Sequence, residues 1–152
     1  MPEVDTRRFT VGVFQDVAGA EKGVEALKRH GLLAESLTIL GKESPELAAM
    51  IERASGAPPE KLEIHGLGTA LARGPLVEAL QGHDDGLGQV GIGGTMTRVG
   101  FQPHDGRIYG TLVARGGVLV AIHSEPRAAD ALAVLFSYGG GNAAIGAWSG
   151  RV

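Results

Sequence analysis

The sequence predicts a single α+β domain built from two strand–helix–strand units, one towards each end of the chain. Three observations predict it. Short β-branched runs bracket an amphipathic helix within residues 9–41, the same pattern returns within residues 118–148, and the positions that recur are core-facing or helix-ending ones.

Residues 9–14, Phe-Thr-Val-Gly-Val-Phe, form the first strand, rich in the side chains that fill a pleated surface. Asp16 caps the helix that follows by accepting a bond from a free amide of its first turn. Ala20, Val24 and Leu27, at i, i+4 and i+7, give that helix one apolar stripe. Lys28, Arg29 and His30 put cations in the last turn, where they complement the helix dipole, and Gly31 ends it. Residues 36–41, Ser-Leu-Thr-Ile-Leu-Gly, are the second strand. Later in the chain Val118 to Ser124 is a strand, and Ser124 caps a helix striped by Ala128, Leu132 and Leu135. Gly139 ends that helix, and Ala143 to Trp148 is the last strand. Ala20, Val24, Leu27, Gly31 and Leu37 are thus matched, at identical spacing, by Ala128, Leu132, Leu135, Gly139 and Ile145. Two such units make one four-stranded sheet carrying both helices on one face, a ferredoxin-like arrangement.

Residues 42–117 are too many for a structureless loop. Ser44-Pro45-Glu46 opens a helix with a cap, a proline at its first position and an early acid, and Leu47, Met50, Ile51 and Ala54 form its stripe. Gly56 and Pro58-Pro59 end it. Lys61 to His65 alternates polar and apolar as a short strand does. Pro75 to Leu80 reads as helix, Gly86 to Val99 as a glycine-rich helix or a loop, and Pro103 to Arg115 as a helix with Ile108 and Leu112 on one side and Gly116 as its stop. This central, mostly helical and glycine-rich insertion, or a second subunit, has to cover the sheet's other face. Left bare, that face would be an interaction site, so a homodimer is expected.

Composition narrows the function. Of 152 residues, 43% are hydrophobic and 20% charged, which suits one globular domain with a real core. A net charge of −3, no basic run longer than Arg7-Arg8, and 5% aromatic residues leave little material for a nucleic-acid surface. Without cysteine there are no disulfides, thiolate metal ligands or cysteine nucleophiles. No apolar stretch approaches the roughly 20 residues that span a bilayer, so no membrane partner is expected. Met1 to Asp5 has neither the basic start nor the apolar run of a signal peptide, so the cytoplasm is the expected location. The unusual number is 25 glycines, most of them between Gly66 and Gly117 or near the C-terminus.

Gly86-Leu87-Gly88-Gln89-Val90-Gly91 matches the dinucleotide pattern G-x-G-x-x-G letter for letter. That chemistry needs a strand in front, so that backbone amides and a helix start reach the pyrophosphate. Gln81 to Asp85 reads as a turn, so no cofactor is assigned. Gly66, Ala70 and Gly74, then Gly82 and Gly86, recur at every fourth position. On helices this spacing lets two backbones approach closely, within the chain or across a dimer; the other reading is turns and caps. His83-Asp84-Asp85-Gly86 and His104-Asp105-Gly106 form the one polar constellation. If the two turns meet, His83, Asp85 and His104 are the candidate ligands of a divalent metal. Their spacing matches no ligand motif, and His-Asp before Gly is equally turn and cap chemistry. His123 beside Ser124 is not a catalytic pair, because such groups are assembled in space with a third, orienting group. His30, His65, Glu60 and Glu63 read as surface groups, and no catalytic residue is assigned.

Val11-Gly12-Val13-Phe14 with its helix, Ala72-Arg73-Gly74-Pro75-Leu76, and Ala114-Arg115-Gly116-Gly117-Val118-Leu119-Val120-Ala121 together resemble the bacterial general (heat-induced) stress protein family. That family comprises small domains without an established biochemical activity, and it has no catalytic residues to carry over. The resemblance touches about two thirds of the chain and departs in the middle, at His83-Asp84-Asp85 and Met96-Thr97-Arg98. It implies a non-catalytic, stress-associated domain that acts by self-association or by binding a protein or small ligand. The alternative is a metal- or small-ligand-binding enzyme or sensor that uses the His/Asp turns.

Overall fold

The computed structural model describes residues 9–29, 31, 34–98 and 101–123. The expected Ser124 cap, the helix of Ala128, Leu132 and Leu135, its end at Gly139 and the strand Ala143 to Trp148 lie outside these residues, as does His30. In chain order the elements are β1 (Phe9–Phe14), α1 (Val17–Arg29), a 3-10 turn (Ala34–Ser36), β2 (Leu37–Lys42), α2 (Pro45–Ser55), β3 (Glu60–Ile64), β4 (Gly68–Arg73), α3 (Pro75–Gln81), α4 (Gly86–Arg98), α5 (Pro103–Ala114) and β5 (Val118–His123).

The first half forms for the reasons its sequence suggests. The Asp16 carboxylate accepts from the Gly19 amide at 2.7 Å and starts α1. The Ser44 hydroxyl accepts from the Leu47 amide at 3.1 Å and starts α2, with Pro45 in the first turn. Gly23 sits inside α1 despite a propensity cost of about 1 kcal/mol. The reason is packing: a Cβ there would lie 2.5 Å from the tip of the buried Phe14 ring.

The strands make one five-stranded sheet in the order β1-β5-β2-β4-β3, and every neighbouring pair is antiparallel. The opening strands of the two expected units lie side by side, with Phe9 opposite His123 and Phe14 opposite Val118. On its other edge β5 pairs with β2, Leu37 opposite Ile122 and Leu40 opposite Leu119. So residues 9–42 and 118–123 do share a sheet. The expected four-stranded ferredoxin-like sheet is nevertheless corrected. Residues 42–117 are not an insertion set beside the sheet, because they supply β4, which pairs with β2 (Ile39 opposite Arg73), and β3, which pairs with β4. The physical reason is hydrogen bonding. The edge of β2 facing away from β5 carries backbone donors and acceptors that need partners, and the β3–β4 hairpin provides them. On the outermost strand Glu60, Lys61 and Glu63 are exposed, and charge of this kind discourages pairing with another chain.

Both faces of the sheet are buried. On one face Phe14, Leu37, Ile39, Leu71, Val118, Val120 and Ile122 pack against Val24 and Leu27 of α1 and Leu47, Met50 and Ile51 of α2. On the other, Val11, Val13, Leu40, Ala70, Ala72, Leu119 and Ala121 meet side chains of α3, α4 and α5, among them Leu76, Leu80, Leu87, Met96 and Leu112. A central strand between two helix layers explains why Val118-Leu-Val-Ala-Ile122 is apolar throughout although its neighbours run antiparallel. Of the two covers expected for the sheet's other face, the central segment or a second subunit, the central segment supplies one with α3, α4 and α5. Leu27 is buried in the first layer, and Leu27→Ala is expected to cost about 2–5 kcal/mol in chemical denaturation. A neutral result would mean that the stripe of α1 does not face the sheet.

The start of α3 ties the second layer to the sheet. Gly74 precedes it and has no side chain to cap with, so the buried Thr38 hydroxyl of β2 accepts from the Leu76 amide at 2.9 Å instead. That requires the chain at Gly74 to lie directly against β2. A Cβ on Gly74 would stand 2.4 Å from the Leu37 carbonyl oxygen.

Candidate functional site

α4 is not one straight helix. At Gly91 the backbone takes φ 77° and ψ −174°, a conformation essentially reserved for glycine, and the helix kinks there. The cause lies in the β3–β4 turn. The His65 amide donates to the Leu87 carbonyl at 2.9 Å, and the His65 carbonyl oxygen would lie 2.6 Å from a Cβ on Gly91. Just after the kink the buried Thr95 hydroxyl bonds back onto the preceding turn, lying 2.8 Å from the Gly91 oxygen and 3.1 Å from that of Ile92. Beyond the kink, α4 crosses α5 on glycine. A Cβ on Gly106 would come within 2.9 Å of the Gly93 carbonyl oxygen, and Gly110 also faces Gly93. Bare backbone at the crossing lets the helices approach as larger residues could not.

The β3–β4 turn, the kinked α4 and the near side of α5 enclose a surface groove of about 360 Å³. Its floor is largely glycine, namely Gly91, Gly93, Gly94, Gly106 and Gly110. Leu67, Val90 and Ile92 give it apolar walls, and Val90 is 48% exposed, the one large hydrophobic side chain so exposed among the described residues. Among the described residues its polar side chains are His65, Arg107 and Thr111, and no carboxylate lines it. A preformed, partly apolar concavity with a few polar groups is suited to holding a small molecule.

Of the described polar residues singled out in the sequence, His65 alone lines the groove. His83 and Asp85 lie in the turn between α3 and α4, and His104 lies in the first turn of α5, its Nδ1 3.6 Å from the Asp105 carboxylate. Among the described residues no three His, Asp or Glu side chains gather as a metal would need, so His83, Asp85 and His104 are not brought together as ligands. The neighbouring residues do structural work. Asp84 accepts both oxygens' worth of bonding from Arg98 at 3.0 and 3.1 Å, Arg98 also reaches the Leu80 carbonyl, and the Gln81 side chain caps α4 by accepting from the Leu87 amide at 2.9 Å.

The G-x-G-x-x-G run occupies the first part of α4 and follows a helix and a turn, without the strand that dinucleotide binding requires. Its glycines are packing positions: a Cβ on Gly86 would lie 2.3 Å from the Arg98 guanidinium, and Gly91 makes the kink. The every-fourth-residue spacing also resolves into other roles. Gly66 is in a hairpin turn, Ala70 in β4, and Gly74 at the start of α3, while helix-on-helix contact is made by Gly93, Gly106 and Gly110. The Gly106-x-x-x-Gly110 spacing in the sequence was the signal for that contact. His123 ends β5 with its ring stacked on Phe9, centroids 4.6 Å apart. Glu63 accepts from the Thr69 hydroxyl, and Glu60 is exposed.

Two surface ion pairs lie away from the groove. Arg53 of α2 donates twice to the Glu21 carboxylate of α1, at 2.6 and 2.8 Å. That hydrogen bonding holds the Glu21 carboxyl below its usual range and raises Arg53. Glu43 likewise raises the Lys61 ammonium. No helix among the described residues is long and apolar enough to cross a membrane. Comparison with protein-family models, with curated proteins and with solved structures finds no match to the chain.

Proposed function

We propose that this is a non-catalytic, stress-associated binding domain whose ligand occupies the glycine-floored groove between the β3–β4 turn, α4 and α5. The observation that carries this reading is the groove itself: the β3–β4 turn meets the consecutive helices α4 and α5 around about 360 Å³ of open space, floored by backbone. Pockets of this size sit at the small end of the ligand-binding range. The stress-associated role rests on the sequence resemblance. Between the two modes of action that resemblance implies, the covered sheet favours ligand binding over self-association, because a second copy is not needed to bury it.

The test is a fragment screen followed by amide correlation spectra of the labelled protein. Compounds that bind are expected to shift the amide signals of Gly93, Gly94, Gly106 and Gly110. Thr111→Phe, which places a ring in the groove from an exposed position on α5, is expected to abolish those shifts while the rest of the spectrum stays folded. Binding that maps elsewhere, or that survives Thr111→Phe unchanged, overturns the reading.

A further inference from the structure

We infer that the groove selects a small organic carboxylate, with its apolar body against Val90 and Leu67 and its anion at the Arg107 guanidinium. This deepens the ligand-binding reading above and rests on it. The argument is one of charge. The chain carries 17 acidic and 14 basic residues, yet among the described residues the lining of the groove contains no Asp or Glu and one permanent cation, Arg107. Three other arginines of the fold are engaged, Arg53 with Glu21, Arg73 with the Pro58 carbonyl, and Arg98 with Asp84 and the Leu80 carbonyl, and the exposed Arg115 lies outside the groove lining. The Arg107 guanidinium makes no hydrogen bond or ion pair with another described residue. Its planar fork matches a carboxylate in a way no lysine could.

The neighbouring groups fit the same ligand. Thr111 lies one turn further along α5, so its hydroxyl and the Arg107 side chain line the same wall, and His65 faces them from the β3–β4 turn. All three can donate hydrogen bonds. The glycine floor offers no side chain to block a flat body, and Val90, Leu67 and Ile92 offer apolar contact beside it. The volume of about 360 Å³ limits the ligand to a small molecule rather than a segment of a macromolecule.

Benzoate and its uncharged isostere benzamide separate the contributions, read by amide shifts in the intact protein at millimolar probe concentrations. Benzoate is expected to move the Gly93, Gly94, Gly106 and Gly110 amides and to bind roughly threefold tighter than benzamide, the scale of an ion pair at an exposed arginine. Arg107→Gln is expected to erase that preference; because Arg107 is exposed and unpaired within the described fold, its spectrum outside the groove should match the parent. Equal binding of the two probes, or an Arg107→Gln variant that keeps the preference, overturns the carboxylate assignment and leaves the groove a ligand site. If neither probe reaches these amides while uncharged fragments do, the carboxylate assignment falls alone. If no compound of any kind reaches them, the binding reading falls with it.

Discussion

Gly74→Ala is expected to remove about 4 kcal/mol or more of stability, a loss of the size that marks a backbone clash rather than a trimmed contact. Three effects coincide there. Gly74 has φ 133° and ψ 171°, a region essentially open only to glycine, and forcing alanine into it costs about 1–3 kcal/mol. The added carbon would stand 2.4 Å from both the Leu37 carbonyl oxygen and the Thr38 Cα. These are backbone atoms of a strand bonded on one side to β5 and on the other to β4, so they have little room to move. It would also lie 2.5 Å from the Thr38 hydroxyl, displacing the acceptor of the Leu76 amide, and a buried donor left unpaired costs about 1–3 kcal/mol more. Gly56→Ala is the control. Its φ is 80°, but no atom lies within 4 Å of the new carbon, so chemical denaturation should show a loss of only about 1–2 kcal/mol. Equal losses at the two sites would mean that α3 does not begin against β2.

The second large effect is expected at Gly91. Alanine there must hold φ 77° with ψ −174° and place its Cβ 2.6 Å from the His65 carbonyl oxygen, for a loss of about 3 kcal/mol or more. Unlike the first case, the damage should centre on the groove. Pushing the β3–β4 turn away breaks the bond from the His65 amide to the Leu87 carbonyl, so hydrogen exchange at His65 should accelerate more than at the central strand residue Val120. Gly110→Ala serves for comparison, since its new carbon meets nothing closer than 3.5 Å and alanine favours a helix. It should be neutral or slightly stabilising. If Gly91→Ala proves as benign as Gly110→Ala, the kink is not where the structure has it.

How far such features can be read in advance depends on whether the cause is local. β1, α1, β2 and α2 were legible because strand composition, a side-chain cap and a stripe lie within a few residues of one another; Asp16 and Ser44 act as their positions suggest. β4 was not legible. Gly68-Thr-Ala-Leu-Ala-Arg73 has weak intrinsic strand preference, and it is a strand because a slot beside β2 requires one. The same limit applies to the candidate site. His83, Asp85 and His104 stood out as residue types, but nothing in their spacing said that the fold would leave them in separate, structurally occupied turns. The groove is made mostly of backbone, where the β3–β4 turn meets two helices from later in the chain. Only the spacing of Gly106 and Gly110 hinted at it, and the partner they meet, Gly93, could not be inferred from α5 alone.

The position of β5 has a consequence for biosynthesis. Among the described strands β1 has one ladder neighbour, β5, and that neighbour is the last of them to leave the ribosome. Until Val118–His123 emerges, β1 and β2 stand apart with an empty lane between them, and the apolar sides of α1 and α2 have no finished surface to settle on. Closing that lane late joins residues separated by most of the chain, which is slow, and meanwhile leaves greasy surface open to chance encounters.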